Sequence, residues 1–117
     1  MPNLKAAYAK YLPQHDRKSD LERAFDALLA QHPEVPEPQR NVYMDRWELD
    51  YYWPDHNVVL ELDGRPYHLV VEKIEDDRLK DAYLLTHGIM PLRVTDDRFK
   101  YDALGALSDL KALLQLR

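Results

Sequence analysis

Two runs with the period-2 alternation of β-strands, WELDYYW at 47–53 and NVVLELDG at 57–64, are separated by so short a polar turn that each is the other's natural partner. In the first run Trp47, Leu49, Tyr51 and Trp53 fall on one side, with Glu48, Asp50 and Tyr52 on the other. In the second, Val58, Leu60 and Leu62 oppose Val59, Glu61 and Asp63. The turn is Pro-Asp-His-Asn, and either a loop of residues 55–56 or one of residues 54–57 pairs Asp50 directly with Glu61. Their Cβ atoms would then lie roughly 5 Å apart. A loop of odd length would shift the register by one and send the two carboxylates to opposite faces. Like charges placed opposite each other destabilise a sheet unless a cation compensates, and a hard ion with a preference for oxygen suits them. The plainer alternative is that both are ordinary exposed strand residues.

Size and composition bound the rest. At 117 residues, 45% hydrophobic and 32% charged, the chain suits one compact domain with a modest core. The absence of cysteine excludes zinc-thiolate sites, disulfides and thiol nucleophiles. No run approaches the roughly 20 apolar residues that span a bilayer, so no membrane role and a cytoplasmic setting are expected. A formal charge of −5 argues against non-specific attraction to a polyanion, although several of the acids belong to the candidate site, where a metal would neutralise them.

Along the chain, residues 1–18 read as a short lead helix (4–12) and a linker, and residues 19–117 as the main domain. Ser19 to Glu22 has the capping-box pattern, and Leu21, Phe25, Leu28 and Leu29 follow at helical spacing. The proline-rich 33–38 is a stiff connector. Strands are expected at 41–44, after a tight Asp45-Arg46 turn at 47–53, and at 57–63. A helix over 71–87 should bury Val71, Ile74, Ala82 and Leu85 and be capped by Gly88. There Asp76, Asp77 and Asp81 with Arg78 and Lys80 read as a solvated face. A strand at 89–94 takes an edge position because of Pro91. A last helix from Thr95 carries Leu104, Leu107, Leu110 and Leu114.

An acid in the first helix, Asp50 in a strand, Glu61-Leu62-Asp63-Gly64 after a short hairpin and His68 four residues beyond the glycine together resemble the PD-(D/E)XK restriction-endonuclease-like superfamily. Within it, the chain is similar to the small domains of the very-short-patch-repair (Vsr-like) endonucleases. The similarity spans residues 19–95. It implies an α/β (α+β) fold with an αβββαβ core, a mixed sheet flanked by helices, here with an extra C-terminal helix. It also implies Mg²⁺-dependent hydrolysis of DNA phosphodiester bonds, with Mn²⁺ able to substitute, in mobile-element defence or DNA repair. Asp50 and Glu61 match the paired metal ligands, Glu22 the helical acid that completes the site, and His68 the catalytic histidine. Asp63 stands where most of the superfamily has lysine, and is expected to add a metal contact. Plainer readings stay open for Glu22 as the capping-box glutamate, Asp63 as a turn former and His68 as a surface residue. Arg65, Lys73 and Arg93 are candidate phosphate contacts. A homodimer or a larger multidomain parent protein fits such a domain. The rival reading is a non-catalytic module of the same fold that binds DNA or a protein partner, in a regulatory or toxin–antitoxin setting.

Overall fold

The computed structural model describes residues 20–63 and 71–116, with the side chains of 71–73 left aside. The expected lead helix, Ser19 of the capping box, Arg65 and His68 lie outside the described residues, as does the side chain of Lys73. The chain divides into two units, Met1–Pro33 and Glu34–Arg117. In the first, helix α1 (Asp20–Ala30) buries Leu21 and Phe25, as its spacing predicts.

The second unit carries strands β1 (Gln39–Met44), β2 (Trp47–Trp53), β3 (Val58–Asp63) and β4 (Met90–Thr95), with helix α2 (Val71–Thr86) between the last two strands and α3 (Asp96–Leu116) after them. The four strands form one mixed sheet in the order β1-β2-β3-β4, antiparallel except for the parallel β3/β4 pair. This α+β arrangement matches the expectation, including the edge position of the strand that holds Pro91. No helix among the described residues is long and apolar enough to cross a membrane.

The turns explain the register. Asp45 takes a positive φ of 55° in the β1–β2 connection, as two-residue hairpin turns require at that position. Residues 54–57 close the β2–β3 hairpin: the His56 N–H donates to Trp53 O (3.1 Å) and Asn57 sits at φ 54°. The loop is the even, four-residue one, and it aligns Trp53 with Val58 and Tyr51 with Leu60. Asn57 O then accepts the Met90 N–H (2.8 Å), which starts β4 alongside β3.

One core lies where α3 meets β3 and β4: Ala106, Leu107, Leu110 and Leu114 of the helix are buried, and so are Val58, Leu60, Tyr51 and Trp53 of the sheet. The Trp53 indole N–H donates to Pro36 O (2.7 Å), which ties the proline connector to the sheet. Leu104 was expected in this stripe but is 67% exposed. Asp102 (φ −152°, ψ 53°) breaks the helix and recaps it by accepting the Gly105 N–H (3.2 Å). On the restarted helix Leu104 lies roughly 120° around from Leu110 at about 100° per residue.

The second core joins Leu49 and Val59 to Leu84 of α2 and Ile89, with Tyr52 and Trp47 packed against it. Leu49 thus packs with Tyr52 and Val59, the residues expected to face away from it. Strict alternation fails at this point for a local reason: the β1–β2 ladder steps over the Asn41 and Asp50 positions, and Asn41 sits at φ 54°.

Helix α2 ends as expected on Gly88 (φ 74°). Its N–H bonds to Leu85 O (3.0 Å), while the Ile89 N–H reaches Leu84 O (2.8 Å), a Schellman closure sealed by the contact of Ile89 and Leu84 in the core. A Cβ at Gly88 would meet nothing within 4 Å, so Gly88→Ala tests backbone conformation alone. It should destabilise by about 1 kcal/mol, a fall of roughly 4 °C in the thermal midpoint. An unchanged midpoint would mean the left-handed cap is dispensable.

The inner face of α2 departs from expectation. Ile74, Leu79 and Leu85 are exposed, whereas Asp77, Lys80 and Asp81 are half-buried beside the fully buried Leu84. Rather than a solvated charged face over an apolar one, the helix turns charges inward. The reason is what the sheet offers there: Glu61 and Arg93, which the β3/β4 register places side by side.

Candidate functional site

Past the Tyr51–Leu60 pair, β2 and β3 are joined by side chains instead of a regular ladder. The Asp50 N–H donates to Glu61 Oε2 (3.1 Å), and the Leu62 N–H donates to Asp50 Oδ2 (2.9 Å). Each carboxylate therefore bonds the backbone of the other's strand, and the two expected site residues are brought together as the even loop requires. One oxygen of each, Asp50 Oδ1 and Glu61 Oε1, lies outside this exchange. Glu61 is only 3% exposed and is the buried charged residue of the described core.

Its neighbour is Lys80 of α2, expected from the sequence on the solvated face but half-buried here. The Lys80 ammonium forms an ion pair with Glu61 Oε1 and donates to Glu48 O (2.5 Å). Glu61 Oε1 is thus buried with the Lys80 ammonium as its charged partner. Burial, and next the adjacent Asp50 charge, push the Glu61 carboxyl up to about 7, partly offset by the Lys80 ammonium and the Asp50 N–H.

Between the ordinary value of 4.5 and about 7 the folded protein holds a proton that the unfolded chain has released. Stability should therefore fall as pH rises through this window, by up to about 3 kcal/mol from this group. Urea denaturation at pH 5 and pH 8 in EDTA checks it: the difference should shrink in Glu61→Gln. An equal pH dependence in both proteins would be the contrary result.

A second charged cluster backs the first. Arg93 of β4 donates to Asp81 Oδ1 (2.7 Å), Asp81 Oδ2 (3.2 Å) and Asp77 O (3.3 Å), and approaches the Asp77 carboxylate (3.6 Å). Burial opposes its charge, but Asp81, then Asp77 and Glu61, outweigh that and hold the guanidinium more firmly protonated than usual. Arg93, a candidate phosphate contact from the sequence, is thus engaged within the protein.

Asp63 ends β3, half-buried and aligned with Thr95. Among the described residues no three His, Asp or Glu side chains converge closely enough to hold a metal ion, so the two-acid pair is what the fold assembles there. Glu22 is half-buried in the first turn of α1, in the N-terminal unit. His68 is outside the described residues. Lys80 had a signal that would have revealed it: Asp77, Lys80, Asp81 and Leu84 fall at i, i+3, i+4 and i+7, one helix face that ends in the buried leucine.

No protein-family model matches the chain, and no curated protein matches it. Among solved structures the chain is similar to the catalytic domain of the homing endonuclease I-Bth0305I, at 18% sequence identity and a TM-score of 0.55, over 85% of this chain and 90% of that one. At that identity the likeness is one of fold.

Proposed function

We propose that this chain is a Mg²⁺-dependent endodeoxyribonuclease domain of the PD-(D/E)XK, Vsr-like type, with Mn²⁺ able to replace Mg²⁺. The observation that carries the reading is the interlocked Asp50 and Glu61 pair, supported by the fold shared with a homing endonuclease catalytic domain. The donors suit the ion. Both are hard carboxylate oxygens, and each residue keeps one oxygen outside the strand-to-strand bonds, that of Glu61 facing the Lys80 ammonium. Asp50 and Glu61 would hold the metal, and Asp63 would contribute directly or through water. When bound, Mg²⁺ supplies charge to the phosphate oxygens and makes a water acidic enough to attack phosphorus.

This chain's own side chains then have defined parts. The carboxylates fix the position of the attacking water, and Lys80, within reach of Glu61, provides a positive charge where the phosphorane becomes anionic. His68 is assigned the proton passed to the leaving oxygen, and Glu22 a supporting acid. Arg93 keeps α2 on the sheet through Asp77 and Asp81, and so keeps Lys80 over Glu61.

The test is a plasmid assay with the purified chain. Supercoiled DNA should be nicked or linearised in Mg²⁺ and in Mn²⁺, and left intact in EDTA. Intact plasmid in both metals, or cutting in EDTA, would count against the proposal.

One observation favours the rival reading of a non-catalytic binding module: Lys80 already neutralises Glu61, which lessens the need for a metal. On that reading the chain would retard DNA or a partner protein without cleaving. The settings suggested by the resemblance, mobile-element defence and DNA repair, suit either reading, as does a homodimer or a place within a larger parent protein.

A further inference from the structure

The sheet end that bears the acidic pair also carries an exposed arginine that nothing in the mechanism uses. Because β2 and β3 are antiparallel, the start of β2 lies beside the end of β3, so the β1–β2 turn belongs to the same edge as Glu61 and Asp63. Arg46 is in that turn, exposed, with its guanidinium stacked 4.2 Å from the centre of the Trp47 ring. Trp47 is itself anchored, since it packs against the cluster of Leu49, Val59 and Leu84. The stack holds the guanidinium on the ring, and among the described residues no carboxylate pairs with it. Lys80 and Arg93, by contrast, are each tied to an acid.

A fixed, unpaired guanidinium beside an acidic centre needs a purpose, because a polyanionic substrate meeting Asp50 and Glu61 is repelled unless cations flank them. Four residues separate Arg46 from Asp50 along the strand, roughly 13 Å at about 3.3 Å per residue. That is a span of about four nucleotides at roughly 3.4 Å per phosphate along one strand.

We propose that the β1–β2 turn is a backbone-binding element, in which Arg46, held on Trp47, contacts a phosphate of the DNA strand a few nucleotides from the bond to be cut. This rests on the nuclease reading. The stack orients the side chain before binding, and an Arg is suited to it because its planar group lies on the ring while its edge donates to phosphate oxygens. Arg46 is therefore a positioning residue, remote from the reacting atoms.

The experiment measures affinity for a 20-base-pair duplex by fluorescence anisotropy between 50 and 200 mM NaCl, and kcat and KM for cleavage, in the wild type, Arg46→Gln and Arg46→Lys. Arg46→Gln should weaken binding about tenfold at the lowest salt and reduce the slope of log affinity against log salt by about 0.9, the loss of one phosphate contact, with kcat unchanged. Arg46→Lys should keep the slope. A stack that merely stiffens the hairpin would leave the salt slope of Arg46→Gln at the wild-type value, and that result overturns the inference alone. A wild type that neither binds nor cuts DNA overturns it together with the nuclease reading.

Discussion

Glu61→Gln and Asp50→Asn should each lower metal-dependent cleavage roughly 100-fold or more while leaving a folded protein. Changes in the residues that merely support metal ligands already reduce affinity or activity about 10- to 100-fold, so loss of a ligand belongs at or beyond the upper end. The choice of amide variants matters. A carboxamide oxygen at either position still accepts the N–H that the native carboxylate accepts, from Asp50 in one case and from Leu62 in the other, so the strands stay clasped. Glu61→Gln keeps the acceptor and the volume, and so should weaken the fold less than truncation would, although it leaves the Lys80 ammonium without its anion. Cleavage rates with matched circular dichroism spectra and urea midpoints separate the two effects. Wild-type rates in both variants would mean that the acids have no part in the chemistry.

Lys80→Ala should have the largest effect on stability. It leaves the buried Glu61, with the half-buried Asp50 beside it, without its cation, and breaking a buried ion pair typically costs about 3–5 kcal/mol. The loss should depend on pH, because without the ammonium the Glu61 carboxyl is pushed further up. It is then protonated in the folded state over a wider range. Around pH 5 Glu61 is neutral in either protein, and the penalty should fall to the lost packing of the lysine stem; at pH 8 it should approach the full value. Lys80→Met isolates the charge by retaining the stem. Mn²⁺ should restore part of the stability of the variant at pH 8, about 2.7 kcal/mol at 100 times its dissociation constant, since the ion binds the folded form alone. A loss equal at pH 5 and pH 8, and unresponsive to Mn²⁺, would reduce Lys80 to a packing residue.

How much of this was legible in the sequence differs from element to element. The hairpin was, because a turn of even length and a side-chain period of 2 leave a single relation between Asp50 and Glu61, and the observed loop of residues 54–57 supplies it. Gly88 and Pro91 were legible for similar reasons: the left-handed cap and the missing amide each restrict where such a residue can stand. Helix α2 was misread. The apolar spacing points to Ile74, Ala82 and Leu85, which are exposed, whereas Asp77, Lys80 and Asp81 are half-buried. An apolar stripe marks the inner face of a helix only where the sheet beneath is apolar, and here α2 covers charged residues. The same site explains the misplacement of Leu49, since ideal alternation does not anticipate a ladder that steps over Asp50 and hands its N–H to a carboxylate. Rules for regular structure failed where the proposed chemistry sits.

The Asp50–Glu61 pair as a shared seat for one divalent ion is tested most directly by calorimetric titration of Mn²⁺ into the wild type, Asp50→Asn and Glu61→Gln at pH 6, 7 and 8. One site per chain is expected in the wild type. Its affinity should climb with pH and level off above about 7, where the Glu61 carboxyl is ionised, and should drop at least tenfold in either variant. Absence of Mn²⁺ binding by the wild type, or binding of the same strength in both variants, would contradict it.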